Sequence, residues 1–265
     1  YGVTRLIGTD RDRDSLPRAS EALAAFGDRV TLVHGDYRDM DAVLDAHGIG
    51  NVDGILLDLG VSSLQLEAED RGFSFRRDEP LDMRMDQSRG ETAAEKLAAV
   101  DETALADVIF QFGEERKSRR VARAIVRARE VGPLTSTAQL AVILRRGVGG
   151  RWQGIDPATR TFQALRIWVN EELEGLGPCI ERAVARLIEP DDRHSGGRLA
   201  AIAFHSLEDP VVKHTLRALA HGEGATVRLL TKRPIEAGDE EVAKNPRARS
   251  AKLRGAQRIG RGRGR

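Results

Sequence analysis

Cys179 is the only cysteine in 265 residues. A single thiol excludes an internal disulfide and any zinc site built on several thiolates, and it fits a reducing cytosol, so a cytoplasmic location is expected. Long apolar runs are lacking too: nothing approaches the roughly 20 residues that cross a bilayer, and no membrane association is expected. The six histidines show no HExxH or other metal-ligand spacing, and no metal is expected. Neither sign of charge is in excess, since 42 Lys+Arg against 41 Asp+Glu leave a formal net charge of +1. That excludes attraction of the whole molecule to nucleic acid and moves the question to local patches. With 31% charged and 40% hydrophobic residues the composition is globular, and the chain is long enough for one large domain or two smaller ones.

What is present is a βα rhythm. Strands are expected at 5–9, 30–34, 53–57 and 198–204, with a weaker one at 226–230, and helices at 14–26 and 40–46. This alternation predicts an α/β fold with a mostly parallel sheet. The run Gly54 to Leu57 ends in Asp58 and reads as a buried parallel strand whose last residue faces the crevice where open α/β sheets bind ligands. After it, some thirty residues rich in Ser, Asp, Arg and Gly lack a helical period and read as a long ordered, functional loop. From 89 to about 177 only helical periods occur, for example Leu105, Val108, Ile109 and Phe112. The expected organisation is therefore a core from 1–88 and 178–265 with an all-helical domain, 89–177, inserted between two sequential strands. A strand almost at the start of the chain implies an upstream strand, Gly-rich turn and helix of about 30 residues that this chain lacks. Residues 245–265 hold eight Arg or Lys and no acid, and disorder is expected over about 255–265.

Candidate site residues follow from the sheet logic. Asp10 closes the first strand, where an acid either hydrogen-bonds ribose hydroxyls, as in NAD and S-adenosylmethionine sites, or caps the next helix. Asp36 and Tyr37 follow the second strand, at the adenine position or in a capped turn. Asp58 and His205 end strands predicted to be neighbours, so a carboxylate and an imidazole share one crevice. The bland alternative is a buried His205 with Ser206 and Asp209 capping the next helix. Thr159, Gln163, Arg166 and Asn170 form a hydrogen-bonding stripe beside the apolar stripe Phe162, Leu165, Val169 and Leu173. Arg116 to Arg129 carries seven basic residues on one helix, either a solvated face or a phosphate-contacting one. The GVGG at Gly147 lacks the Lys-Ser or Lys-Thr of a phosphate loop, and Ser62 and Ser63 do not sit in a nucleophile elbow.

Taken in order, DGILLDLGVSS, RGFSF, LDMRMD, GEER, TRTFQALRIWVNEEL, GGRL, FHSLED and NPRARSAKLR resemble the RsmH (MraW) family of S-adenosylmethionine-dependent 16S ribosomal RNA (cytosine-N4)-methyltransferases. The resemblance covers nearly the whole chain. It implies a class I methyltransferase, Rossmann-like sheet with an inserted helical domain, and cofactor contacts at Asp10, Tyr37, Asp58 and Gln65. The family's upstream GGH motif is absent, Tyr37 stands where Phe is common, and Asp156 stands where His usually precedes ProAlaThrArg. The implied reaction transfers a methyl group to the N4 amine of a cytidine in 16S ribosomal RNA, within the small ribosomal subunit. The amine needs alignment and a proton acceptor more than a strong base. The Asp/Asn-Pro-Pro-Tyr motif of many DNA amino-methyltransferases is missing, so Asp58 and His205 are the expected acceptors or orienters, with Ser206, Glu208 and Asp209 behind them. Arg247, Arg249, Lys252 and Arg254 are expected on RNA phosphates. Two alternatives stand beside this: an RNA-binding, catalytically impaired fragment of such an enzyme, and an NAD-dependent oxidoreductase.

Overall fold

A computed structural model describes residues 3–149, 154–192 and 194–260. The chain forms two compact units, one from 1–60 with 173–265 and the other from 61–172. No helix among the described residues is long and apolar enough to cross a membrane.

The first unit opens with β1 (Leu6–Asp10), α1 (Leu16–Leu23), β2 (Val30–His34), α2 (Met40–Ala46) and β3 (Gly54–Asp58). β1 and β2 pair in parallel, Leu6 opposite Val30 through Asp10 opposite His34. In the order of the chain the elements of the second unit come next: α3 (Ser63–Glu67), α4 (Ala93–Ala99), α5 (Glu102–Gly113), α6 (Ser118–Val131), α7 (Thr137–Val148) and α8 (Ala158–Asn170). The first unit resumes with α9 (Leu176–Ala185), β4 (Arg198–Ala203), α10 (Glu208–Ala220), β5 (Val227–Leu229), β6 (Ile235–Glu236), α11 (Asp239–Lys244) and β7 (Lys252–Arg258).

β3 and β4 are parallel neighbours, with Gly54 opposite Arg198 and Asp58 opposite Ile202, so the helical segment does interrupt two adjacent strands. The second sheet runs β3, β4, β7, β5, and β7 is antiparallel to β4, β5 and β6. Leu57, Leu199, Ala201, Val227 and Ala256 pack with Leu176, Ile180 and Ala183 of α9 and Val212 and Leu216 of α10. Alternate residues of β4 are buried, as a strand with one covered face requires. β3 is likewise covered on one side: Leu57 is buried, whereas Leu56 is 64% exposed, so the expectation of a fully buried strand is corrected.

The basic tail is also corrected. Residues 252–258 form a strand inside the sheet, and the expected disorder does not extend over 255–260; residues 261–265 lie outside the described residues. A run containing Arg254, Gln257 and Arg258 can be buried because each polar end finds a partner. Arg254 pairs with Asp209, Gln257 Nε2 donates to the Ser195 carbonyl at 2.6 Å, and Arg258 Nη2 lies 2.8 Å from Glu189 Oε1.

In the second unit, α4 to α8 enclose Leu97, Leu105, Ile109, Val121, Ile125, Leu140, Leu144 and Leu165. The loop after α3 contributes Phe73, Leu81, Met83 and Met85 to the same core. The boundary therefore falls at 60/61 rather than 88/89, because the loop's apolar side chains pack among these helices. Backbone hydrogen bonding holds the loop in one shape. Asn170 Oδ1 accepts from Met85 N at 2.7 Å, and its Nδ2 donates to the Met83 and Arg166 carbonyls. Arg71 donates to the Met85 carbonyl at 2.9 Å, and Gly72 N donates to Glu79 at 3.1 Å. Gly72 has φ 69°, and a Cβ there would lie 2.4 Å from the Pro80 carbonyl, so glycine is required on two counts. Asn170→Ala strands the buried Met85 N–H and Met83 carbonyl, and is expected to destabilise this unit by about 2–4 kcal/mol. Urea unfolding followed by hydrogen exchange of the α8 amides measures it; a loss below about 0.5 kcal/mol would show that the loop is held by its apolar side chains alone.

Candidate active site

The site grows from strand ends of the first unit. Asp10 ends β1, and its Oδ1 accepts the Asp12 amide at 2.7 Å. Its carbonyl accepts Gly35 N at 3.0 Å, which ties the β2 exit to the β1 exit. Asp36, buried at that exit, has Arg11 Nε at 3.1 Å and Arg38 Nη2 at 2.8 Å. Burial alone would raise the Asp36 carboxyl, but hydrogen bonds from the Arg38 side chain and backbone, with the charges of Arg38 and Arg11, hold it below its usual range. The neighbouring Tyr37 phenol is pushed well up by burial and then by Asp36, so it stays neutral. Arg11 was not foreseen; its only sequence signal is a cation directly after the strand-ending acid.

Asp58 ends β3 with its carboxyl raised, first by the protein around it and then by the charges of Glu208 and Asp10. Glu208 opens α10 and is buried; its Oε2 accepts Phe204 N at 2.8 Å and His205 N at 3.3 Å, and its Oε1 lies 3.2 Å from His205 Nε2. His205 Nδ1 accepts Leu207 N at 3.3 Å, which puts the imidazole proton on Nε2 facing Glu208. The turn between β3 and the second unit comes close as well, since a Cβ on Gly60 would lie 3.6 Å from Glu208 Oε1. Asp10, Asp58 and Glu208 thus form an acidic edge beside the His205 imidazole.

Other expected residues fall elsewhere. Ser206 is exposed in the turn before α10. Asp209 is bound to Arg254 in a bidentate pair of 2.6 and 3.0 Å, with both side chains nearly buried. This is a correction for both: Asp209 is consumed as an ion-pair partner rather than available as a proton acceptor, and Arg254 is not a surface cation for phosphate. Arg247 and Arg249 are exposed and Lys252 is partly so. Gln65 belongs to the second unit, where Oε1 accepts Ser62 N at 2.8 Å and the Gln65 amide donates to Ser62 Oγ at 3.2 Å, a capping box for α3. Asp156 accepts from Ala158 N at 2.9 Å and pairs with Arg145 at 2.8 Å, so it caps α8 and holds it to α7. The stripe on α8 is explained in part by Asn170 and by Arg166, which is paired with Glu172 at 2.8 Å. Lys117, just before α6, and Arg129 on it donate to backbone carbonyls, and Arg123 pairs with Glu102.

Parallel strands with helices between them, one antiparallel strand inserted next to the last, and acids along the strand ends are consistent with a class I methyltransferase. Comparison with protein families matches the MraW methylase family over residues 1–259, and the chain belongs to that family. A ribosomal RNA small subunit methyltransferase H of Sorangium cellulosum is 53% identical over 257 residues, covering 97% of this chain and 78% of the relative. A protein of the same name from Deinococcus deserti is 50% identical over 97% of this chain and 84% of its own length. Another, from Nitrobacter hamburgensis, is 49% identical over 96% and 78%. Membership of a methylase family sets aside the oxidoreductase alternative.

Proposed function

We propose that the chain transfers the methyl group of S-adenosylmethionine to the N4 amine of a cytidine in small-subunit ribosomal RNA. The observation that carries this reading is the acidic edge of Asp10, Asp58 and Glu208, on a chain 53% identical to a ribosomal RNA small subunit methyltransferase H. An Asp58 carboxyl with the charges of Glu208 and Asp10 close by favours a cationic ligand, and the sulfonium cofactor is a cation. When bound, that cofactor supplies an electrophilic methyl group. Asp10 would hold its ribose, the neutral Tyr37 ring its adenine and Asp58 its cationic end.

Asp58 then accepts a hydrogen bond from the cytosine amine as its lone pair localises, the step the ring otherwise resists. His205 and Glu208 act as positioning residues, because Glu208 carries the turn from Phe204 to His205 on one carboxylate. Ser206 remains a candidate for touching the base, which must be unstacked to reach the edge. Arg247 and Arg249 hold RNA phosphates.

Incubation of the chain with methyl-labelled cofactor and either 16S ribosomal RNA or small subunits, followed by nucleoside mass spectrometry, tests this. Label in N4-methylcytidine is expected. Label on another atom removes the target assignment, and RNA binding without label favours the impaired-fragment alternative. Asp10→Ala is expected to raise the cofactor KM about tenfold or more with a smaller change in kcat, since a ribose contact is uniform binding.

A further inference from the structure

A shallow cleft in the first unit is lined by Lys213, Leu216 and Arg217 of α10, Leu229, Thr231 and Lys232 at the end of β5, and Arg254 and Gly255 of β7. Four of these eight residues are cations and none is a carboxylate. Lys213 and Arg217 are four residues apart on α10 and share one face. Thr231 Oγ accepts Gly255 N at 3.1 Å and fastens the segment carrying Lys232 to β7. Lys252, two residues before Arg254 on the same strand, adds a further cation, and its charge and that of Lys213 both reach Asp209.

What marks this cluster is that unpaired cations gather where no carboxylate is among the lining residues. Arg38, Arg84, Arg145, Arg166 and Arg186 are each paired with a carboxylate. Asp209 is taken up by Arg254. Among the described residues, the side chains of Lys213, Arg217, Lys232 and Lys252 have no hydrogen-bond or ion-pair partner. Three unpaired cations, Lys213, Arg217 and Lys232, line the concave patch, and Lys252 lies beside it opposite Glu236 in the β6–β7 register; in a chain whose formal net charge is only +1 they concentrate positive charge there. Two leucines form its floor, and it has no aromatic ring on which a base could stack. Its chemistry suits an oxyanion rather than a base.

We propose that this cleft binds the phosphate backbone of the RNA substrate, with Lys213, Arg217, Lys232 and Lys252 as the contacting cations; this rests on the ribosomal RNA reading above. Arg254 has a positioning role: paired to Asp209, it fixes β7 against α10 and so holds the two walls of the cleft together.

Fluorescence anisotropy of the full chain with a labelled 16S ribosomal RNA fragment, titrated across a potassium chloride series, tests the site. The triple variant Lys213→Gln, Arg217→Gln, Lys232→Gln spares Arg254 and is expected to bind at least tenfold more weakly at about 0.1 M salt. The slope of log K against log salt should fall by about 2–3, at about 0.7–0.9 per neutralised phosphate. Cofactor affinity by calorimetry should be unchanged, and Lys213→Arg with Lys232→Arg should keep the parental slope, which separates loss of charge from loss of fold. An unchanged slope in the triple variant, while the parent binds RNA, overturns the cleft and leaves the function reading intact. Failure of the parent to bind the RNA overturns that reading and the inference with it. Inorganic phosphate shifting the Thr231 and Gly255 amide resonances while parent and triple variant bind RNA equally assigns the cleft to a free anion, and overturns the backbone assignment.

Discussion

Asp58→Asn is expected to abolish most methyl transfer while making the protein more resistant to heat. The substitution keeps the shape of the side chain and removes its charge. Loss of a positioned proton acceptor lowers turnover by about 10²–10⁴-fold, and removal of the charge from the β3 end also weakens attraction for a sulfonium. Stability moves the other way. The Asp58 carboxyl is raised above its ordinary range by its surroundings, then by Glu208 and Asp10. Between the unfolded and folded values the native state binds more protons than the unfolded chain, so stability falls as pH rises through that window, and the cost is complete above it. An asparagine carries no such cost. The melting temperature of the variant should therefore match the parent near pH 4 or below and exceed it increasingly through the carboxylate range, levelling off above the folded value. Asp58 is accessible enough for solvent to screen the effect, which limits the gain to a few degrees. Parental turnover in the variant would remove Asp58 from the proton-accepting role. A lower melting temperature at neutral pH would show that the three acids do not repel one another.

This opposition is what a binding edge built before its ligand arrives should display. Glu208 cannot be relieved in the same way, because its carboxylate also carries the Phe204 and His205 amides. Glu208→Gln keeps an oxygen for those amides but offers an N–H toward His205 Nε2, 3.2 Å from the present oxygen, and disturbs the imidazole rather than the strand.

How much of this could be read in the sequence depended on how local the cause is. Strand β2 and helix α2 were expected where they lie, Val30–His34 and Met40–Ala46, because each is specified by its own apolar period and by turn residues on either side. Asp58 was legible for the same reason: an apolar run that stops at an acid marks a strand end. Strand β7 was not, since its local signal is that of a basic tail and its burial depends on Asp209, Glu189 and Ser195, which lie 45 to 69 positions away. The loop at 61–88 was recognised as ordered but assigned to the wrong unit. What anchors it is Asn170, 85 positions after Met85, and no pattern within the loop announces a distant amide. The polar stripe on α8 did hint that such a partner was needed. Gln65 shows the reverse case: the capping box Ser-x-x-Gln is a local signature that the family resemblance overshadowed.

The second large effect separates structure from chemistry at the other end of the FHSLED segment. Asp209→Ala is expected to destabilise the first unit by about 3–5 kcal/mol, because it leaves the guanidinium of Arg254 buried without its carboxylate. The two side chains are only 9% and 11% exposed, and Nε and Nη2 each donate to one oxygen, so neither partner can turn to solvent for compensation. Arg254→Met should cost a comparable amount. The double variant should cost clearly less than the sum, since the uncompensated charge disappears with its partner. The Arg254 hydrogen bond is the main reason the Asp209 carboxyl is held below its usual range, against the opposing effect of burial. A depressed folded value means that the pair's stabilisation is present above the unfolded carboxylate range and is lost as pH falls through the folded value. The parent should therefore lose its advantage over Asp209→Asn in acid, and thermal unfolding of both from pH 7 down to pH 2 checks this. Turnover per folded molecule is the discriminating readout. Measured well below the melting temperature of the variant, methyl transfer by Asp209→Asn should stay within a few-fold of the parent, unlike Asp58→Asn. A variant that stays folded at parental stability yet loses turnover by 10²-fold or more would return Asp209 to the reaction and remove the reason for assigning Arg254 to the frame of β7 and α10.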